Sequence, residues 1–286
     1  MKIISASRRT DIPAFHSDWL INRLREGVAH VGSPFNNKLR SVSLAPENVI
    51  AIIFWTKNSA PLTRYLDEIS TRGYDFTFLY TVNNYPKLVE PNVPEIGLTM
   101  RTLEHLFDRY GSSALRWRYD TIILTETLNR SWHINNFRKL CGIMGPLVDE
   151  CIFSFCDYYK KTKAKMRNHL PDHHEPTQEE AVKLALELAD VASEHGIRML
   201  SCAHDFLSQG PIGSARCIDR QFLKRVVTAS NKLERLANVK SRPTRKGCRC
   251  DYSIDIGEYN TCDHNCVYCY ASNEHRIKDD SRVQES

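Results

Sequence analysis

The fold class is decided by residues 49–55, which read VIAIIFW. A continuous run rich in β-branched residues is typical of a strand covered on both faces, as in a parallel sheet. Similar short apolar runs occur at residues 3–7, 76–82, 115–119, 151–155 and 198–202. The six runs together predict the strands of one sheet.

Helical patterns separate these runs. Apolar residues spaced i, i+3, i+4 and i+7 occur in residues 62–69 and 103–110, and the clearest helix spans residues 177–195, with capping-box spacing at its start. We expect a last helix from Asp219 to about Leu236. Six strand–helix units predict an α/β fold, and we favour a partial (β/α)6 TIM-like barrel over an open parallel sheet.

Composition and charge exclude several classes of protein. The chain has 286 residues, of which 42% are hydrophobic and 26% charged, as expected of a globular protein with one large or two small domains. Its 39 Lys and Arg against 34 Asp and Glu give a charge of +5, too small and too dispersed to indicate a nucleic-acid partner alone, so nucleic acid is possible but not favoured. No run of 18 apolar residues occurs, and Arg8 and Arg9 precede any signal-peptide core. We therefore expect a cytoplasmic protein without a membrane partner.

Polar side chains follow the predicted strands. In parallel α/β folds the active site is built at the carboxyl ends of the strands. The residues at these ends include Arg8, Arg9, Asp11, Thr56, Lys57, Asn58, Arg116, Arg118, Tyr119, Asp120 and Tyr158. The alternative is that pairs such as Arg118 with Asp120 are structural ion pairs.

Five of the ten cysteines lie within residues 248–269, where metal ligation is more plausible than disulfides in a chain expected to be cytoplasmic. Cys262, Cys266 and Cys269 have C-x3-C-x2-C spacing, which lets three thiolates converge and leaves one iron of a cubane cluster without a protein ligand. A closed zinc site needs four ligands, usually delivered by two C-x2-C knuckles. We therefore predict a [4Fe-4S] cluster, with zinc as the alternative.

A second set of cysteines is formed by Cys202, Cys217, Cys248 and Cys250. Together they would make a four-thiolate site without an open position, holding a second [4Fe-4S] cluster or zinc. The alternative is that Cys202 and Cys217 are simply core residues.

The segment CDHNCVYCY, residues 262–270, resembles the C-x3-C-x-aromatic-C motif of radical S-adenosylmethionine (SAM) enzymes. The resemblance implies that the three cysteines hold a [4Fe-4S] cluster, that SAM chelates the fourth iron and that Tyr268 lies near the adenine. The segments IIFWTKN and LRWRYDTII are similar to the barrel of spore photoproduct lyase-like radical SAM proteins. That similarity implies a cofactor-binding role for Thr56, Lys57 and Asn58, which stand where a glycine-glycine-acidic motif is usual.

The order of SRRTDIPAF, FWTKN, WRYD, CAHD, CID and the late cysteines is similar to the bacterial domain of unknown function 1848 family. In most radical SAM proteins the cysteine motif follows the first strand, whereas here it begins at residue 262. The resemblance implies a fold and a cluster, and names no substrate. We expect residues 1–237 to form the partial barrel and residues 238–286 a cysteine-rich tail packed on its open end.

The sequence thus predicts an enzyme that reductively cleaves SAM to a 5′-deoxyadenosyl radical, with a reductase or small-molecule electron donor as partner. Its substrate is unknown, and arginines favour an anionic one. The residues expected to serve catalysis are Arg8, Arg9, Asp11, Arg118, Tyr119 and Asp120, with Arg116 as a further anion anchor and Tyr158 and Cys202 as further hydrogen donors.

Two alternatives belong to other classes. One is a non-catalytic electron-transfer or redox-sensing protein, in which Asp263, His264 or Cys250 supplies a fourth ligand to the cluster. The other is a zinc-stabilised nucleic-acid-binding module.

Overall fold

A computed structural model describes residues 1–32 and 38–272 of the chain. Its strands, in chain order, are β1 (Lys2–Ala6), β2 (Val28–Gly32), β3 (Leu39–Ser43), β4 (Val49–Thr56), β5 (Phe76–Thr81), β6 (Leu115–Ile122), β7 (Glu150–Phe155), β8 (Arg198–Ser201), β9 (Gly213–Ser214) and β10 (Ile254–Asp255). Eight of them form one parallel sheet in the order β10-β1-β4-β5-β6-β7-β8-β9. The other two, β2 and β3, form an antiparallel hairpin.

The helices lie mainly between the strands. They are α1 (Ile12–Phe15), α2 (Ser17–Glu26), α3 (Ala60–Thr63), α4 (Leu66–Thr71), α5 (Ile96–Tyr110), α6 (Arg130–Met144), α7 (Lys160–His169), α8 (Gln178–Glu194), α9 (Arg220–Leu223) and α10 (Ser230–Ala237). No helix among the described residues has the length and apolar character needed to cross a membrane.

The six predicted strands are confirmed as β1 and β4 to β8. All eight residues of β4 are buried, as its continuous apolar sequence requires of a strand covered on both faces. The strands from β1 through β4 to β8 follow one another in the sheet in chain order, so the α/β class with a large parallel sheet is confirmed.

The two faces of the sheet are covered differently. Alternate strand residues such as Phe54, Trp117 and Phe153 pack against the helices that connect the strands, and form the larger core. The intervening residues, such as Ile53 and Leu200, pack against α9, α10 and the segment that follows them. Because side chains alternate along a strand, each strand serves both cores.

The predicted helix at residues 177–195 is confirmed as α8, and its capping box has both bonds. Glu180 N donates to Thr177 Oγ1 at 3.2 Å, and Thr177 N donates to Glu180 Oε2 at 2.8 Å. The helix predicted from Asp219 to Leu236 is divided, because α9 ends at Leu223 and α10 begins at Ser230. The intervening KRVVTA contains three β-branched residues, which weaken a helix where packing does not support it.

The predicted tail, residues 238–286, contributes β10 to the sheet, and its residues 273–286 lie outside the described residues. In β10, Ile254 pairs with Ile4 and Asp255 with Ser5 of β1. This edge strand brings the cysteine-rich segment to the polar ends of the central strands.

Candidate functional site

Asp255 joins the tail to the end of β1. Its carboxylate accepts hydrogen bonds from Ser5 Oγ at 2.9 Å, Ser7 Oγ at 2.6 Å and Arg8 N at 2.9 Å. At Gly257 a Cβ atom would lie 2.0 Å from Ser7 Oγ, so only glycine allows this approach. The sequence analysis missed Asp255, although its place between two isoleucines is a short strand-like alternation.

Asp11 ties three loops together. Its carboxylate accepts from Thr56 Oγ1 at 2.8 Å and from the backbone nitrogens of Lys57 at 2.7 Å and Ala14 at 3.0 Å. It also bonds His264 Nε2 in the cysteine loop at 2.8 Å. Asp11 therefore positions the ends of β1 and β4 beneath residues 262–269.

Lys57 and Glu90 form a buried ion pair next to the cysteine loop. Lys57 Nζ lies 2.8 Å from Glu90 Oε1, and Glu90 is 2% exposed. Glu90 also accepts from Asn83 Nδ2 at 2.9 Å and from the hydroxyl of Tyr268. Burial acts to lower the pKa of Lys57 and to raise that of Glu90, but the mutual attraction prevails, so the pKa of Lys57 is raised and that of Glu90 lowered.

The cysteine loop, residues 262–269, carries the thiols of Cys262, Cys266 and Cys269. Cys269 N donates to Cys266 O at 3.1 Å, and Cys269 Sγ accepts from Ala271 N at 3.3 Å. Burial raises the pKa of Cys262 to about 12. No three His, Cys, Asp or Glu side chains in residues 1–32 and 38–272 have the arrangement of a metal site.

His264, a possible fourth ligand in the electron-transfer alternative, is buried between the cysteine loop and Asp11. It is 2% exposed, its Nε2 bonds Asp11 and its Nδ1 faces the carbonyl oxygen of Asn92 at 3.3 Å. Both ring nitrogens are therefore engaged. Asp263 is exposed, and Cys250 belongs to the second cysteine set.

Arg118 and Asp120 form an ion pair on the face of β6 that looks toward the tail, as the structural alternative predicted. The Arg118 guanidinium lies 5.0 Å from the centre of the Trp55 ring, and that of Arg8 lies 5.6 Å from the same ring. Two buried donors here, Arg118 Nε and Trp55 Nε1, have no hydrogen-bond acceptor among the described residues. This part of the site thus offers unmatched donors flanked by positive charge.

Other predicted site residues are engaged within the fold. Arg9 Nη1 donates to Gly257 O at 3.3 Å, and Asn58 Oδ1 accepts from Ala60 N at 3.2 Å. Thr56 is held by Asp11, as described above. Arg116 pairs with buried Glu150 at 2.6 Å. Tyr158 donates to the carbonyl oxygen of His174 at 2.9 Å.

Tyr119 does not reach this part of the molecule. It has the opposite parity to Arg118 and Asp120 on β6, so its side chain points into the larger core. There its hydroxyl lies 2.7 Å from His133 Nδ1, while His133 Nε2 lies 2.8 Å from Ile123 O. Tyr119 is therefore corrected from a site residue to a core residue.

His133 predicts an acid-sensitive stability. Burial lowers its pKa from 6.5 to about 4, so the unfolded chain binds the extra proton between these two pH values and the folded chain does not. Stability present above pH 6.5 is therefore lost as the pH falls toward 4, by about 3 kcal/mol. Urea unfolding at pH 7 and pH 4.5 measures the loss.

A His133→Gln variant is the control for that loss. It should be less stable at pH 7 and show a shallower decline, with a remainder from His204, whose pKa burial also lowers. An equally steep decline in the variant would contradict the role of His133.

The second cysteine set is brought together, as the sequence analysis allowed. Cys202 Sγ lies 3.6 Å from Cys217 Sγ, and the Cys217 and Cys248 thiols each contact that of Cys250. All four side chains are buried.

A cavity of about 590 Å³ opens beside the Lys57–Glu90 pair. The loop after β5 and the first turns of α5 and α6 line it, with the stacked rings of Tyr85 and Trp132 on one wall and the amide of Asn136 on another. Small-molecule sites typically occupy about 300–1,000 Å³. The cavity is therefore large enough for a nucleoside-sized ligand.

Comparison with known proteins gives a family and no activity. No curated protein matches the chain. A crystal structure of a "putative alpha-L-fucosidase" from Bacteroides thetaiotaomicron VPI-5482 is 11% identical, with a TM-score of 0.25 over 66% of this chain and 75% of that one, too low a similarity to support an argument. The family model for a domain of unknown function, DUF1848, matches residues 3–271. The chain therefore belongs to the DUF1848 family.

Proposed function

We propose that this protein is an iron–sulfur enzyme of the radical SAM type, with Cys262, Cys266 and Cys269 as ligands of a [4Fe-4S] cluster and an anionic molecule as substrate. The observation that carries the proposal is the packing of the cysteine loop against the carboxyl ends of β1, β4 and β5, through Asp11 and Glu90. This is the edge of a parallel sheet where ligands bind.

The type and spacing of the donors suit a cluster with an open iron, although among the described residues the three side chains are not arranged as a metal site. Three thiols are neighbours in one short loop, and the imidazole that could close the site is held by Asp11 and Asn92. Three thiolates are what an open cubane needs from the protein. When bound, the reduced cluster would supply the electron that cleaves SAM to methionine and a 5′-deoxyadenosyl radical.

The residues around the loop would orient the cofactor. Tyr268 is fixed by Glu90 and by Asn83 Nδ2, which lies 3.1 Å from its hydroxyl, and its ring lies 5.7 Å from Lys57 Nζ. Lys57 lines the cavity and lies beside the Tyr268 ring of the cysteine loop, so it stands between the loop and the cavity. We propose that SAM occupies this cavity, with its carboxylate toward Lys57.

Substrate would bind on the tail-facing side of β4 and β6. Arg8 and Arg118 flank Trp55, and the unmatched Arg118 Nε and Trp55 Nε1 would both donate to an anionic group. A guanidinium suits planar carboxylates and phosphates through its fixed fork of donors. Asp120 would orient Arg118 through their ion pair.

We propose a partial (β/α)6 barrel as the frame for this site. The strands follow chain order, and one face packs on the connecting helices while the other faces the tail. Right-handed crossovers that add strands in one direction place the connecting helices on one face, and such a sheet would close toward a barrel. The tail would then cover the open end and shield the cluster from water.

Formation of 5′-deoxyadenosine tests the proposal. Anaerobically purified, reduced protein is expected to produce it from SAM, and a Cys262→Ala, Cys266→Ala, Cys269→Ala variant should produce none. A Cys141→Ala, Cys151→Ala variant is the matched control, because both cysteines lie in the larger core, and it should retain the product.

Two results would contradict the proposal. One is a protein with four iron and four sulfide per chain that neither binds nor cleaves SAM in equilibrium dialysis and product assays. The other is unchanged iron content in the variant without the three loop cysteines.

A further inference from the structure

The second cysteine set lies outside the proposed active site and is assembled from three segments of chain. Cys202 follows β8, Cys217 lies before α9, and Cys248 and Cys250 come from the tail. Their exposed fractions are 8%, 4%, 9% and 3%. Four of the ten cysteines thus share one buried location at the edge of the sheet.

Two backbone N–H groups and one side-chain hydroxyl are directed at two of these sulfur atoms. Cys248 Sγ accepts from Cys250 N at 3.5 Å and from Thr244 Oγ1 at 3.6 Å, and Cys250 Sγ accepts from Ile218 N at 3.5 Å. A neutral thiol is a weak acceptor, whereas a metal-bound thiolate is stabilised by such donors. The C-x-C turn is therefore arranged around sulfur atoms that act as acceptors.

The backbone at Gly247 and the backbone at Ala203 approach each other closely beside these cysteines. A Cβ atom on Gly247 would lie 2.2 Å from the carbonyl oxygen of Ala203, and Gly247 has φ +73°. Ala203 itself has φ +64°, a left-handed conformation that alanine rarely adopts. These two residues adjoin Cys248 and Cys202, so the close approach brings the two cysteine-bearing loops into contact.

We infer that Cys202, Cys217, Cys248 and Cys250 bind a single tetrahedral zinc ion that fastens the tail to the edge of the sheet. Two thiolates on one zinc at about 2.3 Å lie about 3.8 Å apart, close to the 3.6 Å between Cys202 and Cys217. A cubane binds each thiolate on a different iron and holds the sulfur atoms farther apart. Among the described residues the four side chains are not arranged as a metal site, so zinc binding requires rotation about their Cα–Cβ bonds.

Charge around the set suits a four-thiolate site. Zinc binding releases four thiol protons to solvent, so the occupied site carries two net negative charges. The Arg116 guanidinium, which is paired with Glu150, approaches the set with its Nη1 3.5 Å from Cys217 O. A positively charged arginine side chain therefore lies beside the four cysteines.

Metal analysis of the variant without the three loop cysteines tests this inference independently of the proposed function. That protein, purified under reducing conditions, should be colourless and contain one zinc and no sulfide per chain. Replacing zinc with Co²⁺ should give the absorption of a tetrahedral four-sulfur site. In the same background, Cys248→Ser should weaken zinc binding by more than about 100-fold in chelator competition, since even outer contacts contribute 10–100-fold. Cys141→Ser is the matched control and should bind as before.

Three results would overturn the inference. Iron with sulfide in that background would assign a second cluster to the set. A zinc content equal to that of a protein that also lacks Cys202 and Cys217 would show that the four thiols are core residues. A Cys202–Cys217 disulfide, detected by alkylation before and after reduction, would do the same. The Co²⁺ spectrum needs no substitution within the set, so a variant that fails to fold does not decide the outcome.

Discussion

Replacing Glu90 with alanine is expected to lower the free energy of unfolding by about 3–5 kcal/mol, the usual loss when one partner of a buried ion pair is removed. The Lys57 ammonium would stay buried without its counter-charge, and Asn83 and Tyr268 would lose an acceptor. Urea unfolding of the metal-free protein at pH 7 measures the change.

A double variant, Lys57→Met with Glu90→Leu, is the control for that prediction. It removes both charges and leaves apolar side chains of similar volume, so it should recover much of the lost stability. A loss below about 1 kcal/mol in Glu90→Ala, the range of exposed pairs, would mean that water reaches Lys57.

Gly247→Ala is expected to be the other strongly destabilising change. The added Cβ would meet the Ala203 carbonyl oxygen, a backbone atom that cannot move aside as a flexible side chain could. We expect a loss of about 3 kcal/mol or more, together with weaker zinc binding, because the loops carrying Cys202 and Cys248 would be forced apart. Unfolding measurements and chelator competition give the two readouts.

Gly73→Ala is the control that separates backbone strain from the steric overlap expected at Gly247. Gly73 has φ +86°, similar to Gly247, but a Cβ there would have no atom within 4 Å. Its replacement should cost about 1 kcal/mol through the backbone conformation alone. Equal losses of unfolding free energy in the two variants would show that Gly247 does not approach Ala203 closely.

The local sequence was sufficient to predict the central strands. Residues 49–55 are apolar without interruption, and no other element accommodates such a β-branched run as well as a buried strand. The helix at α8 was equally well marked, because its capping box is a local bond between Thr177 and Glu180.

Elements that depend on distant partners could not be predicted from the sequence. β10 has only Ile254 and Asp255, too short for periodicity, and it is a strand because β1 offers an unpaired edge. Likewise, α9 and α10 are separate helices because packing decides where a weak helical segment is interrupted.

The sequence predicted which kinds of residue form the candidate site better than it predicted which of them are in contact. The sequence predicted Lys57 at a strand end and the cysteines in a tail packed on the open end of the barrel, and the structure brings the loop containing Tyr268 to Lys57 and Asn83. Asp255 was missed because its role arises from contacts about 250 residues away. Tyr119 was misplaced because a one-residue step along a strand reverses the face that a side chain occupies.

The pairing of β10 with β1 also sets an order of assembly. The Ser5–Asp255 hydrogen bond spans 250 positions, so an N-terminal strand made first on the ribosome acquires this neighbour only after residue 255 has emerged. Contacts of such separation form slowly, and until then one edge of β1 presents unpaired backbone groups to other chains. His264 meets Asp11 across a comparable separation. The sheet edge and the cysteine loop therefore take their places in the same late step, and a nascent chain shorter than this carries neither.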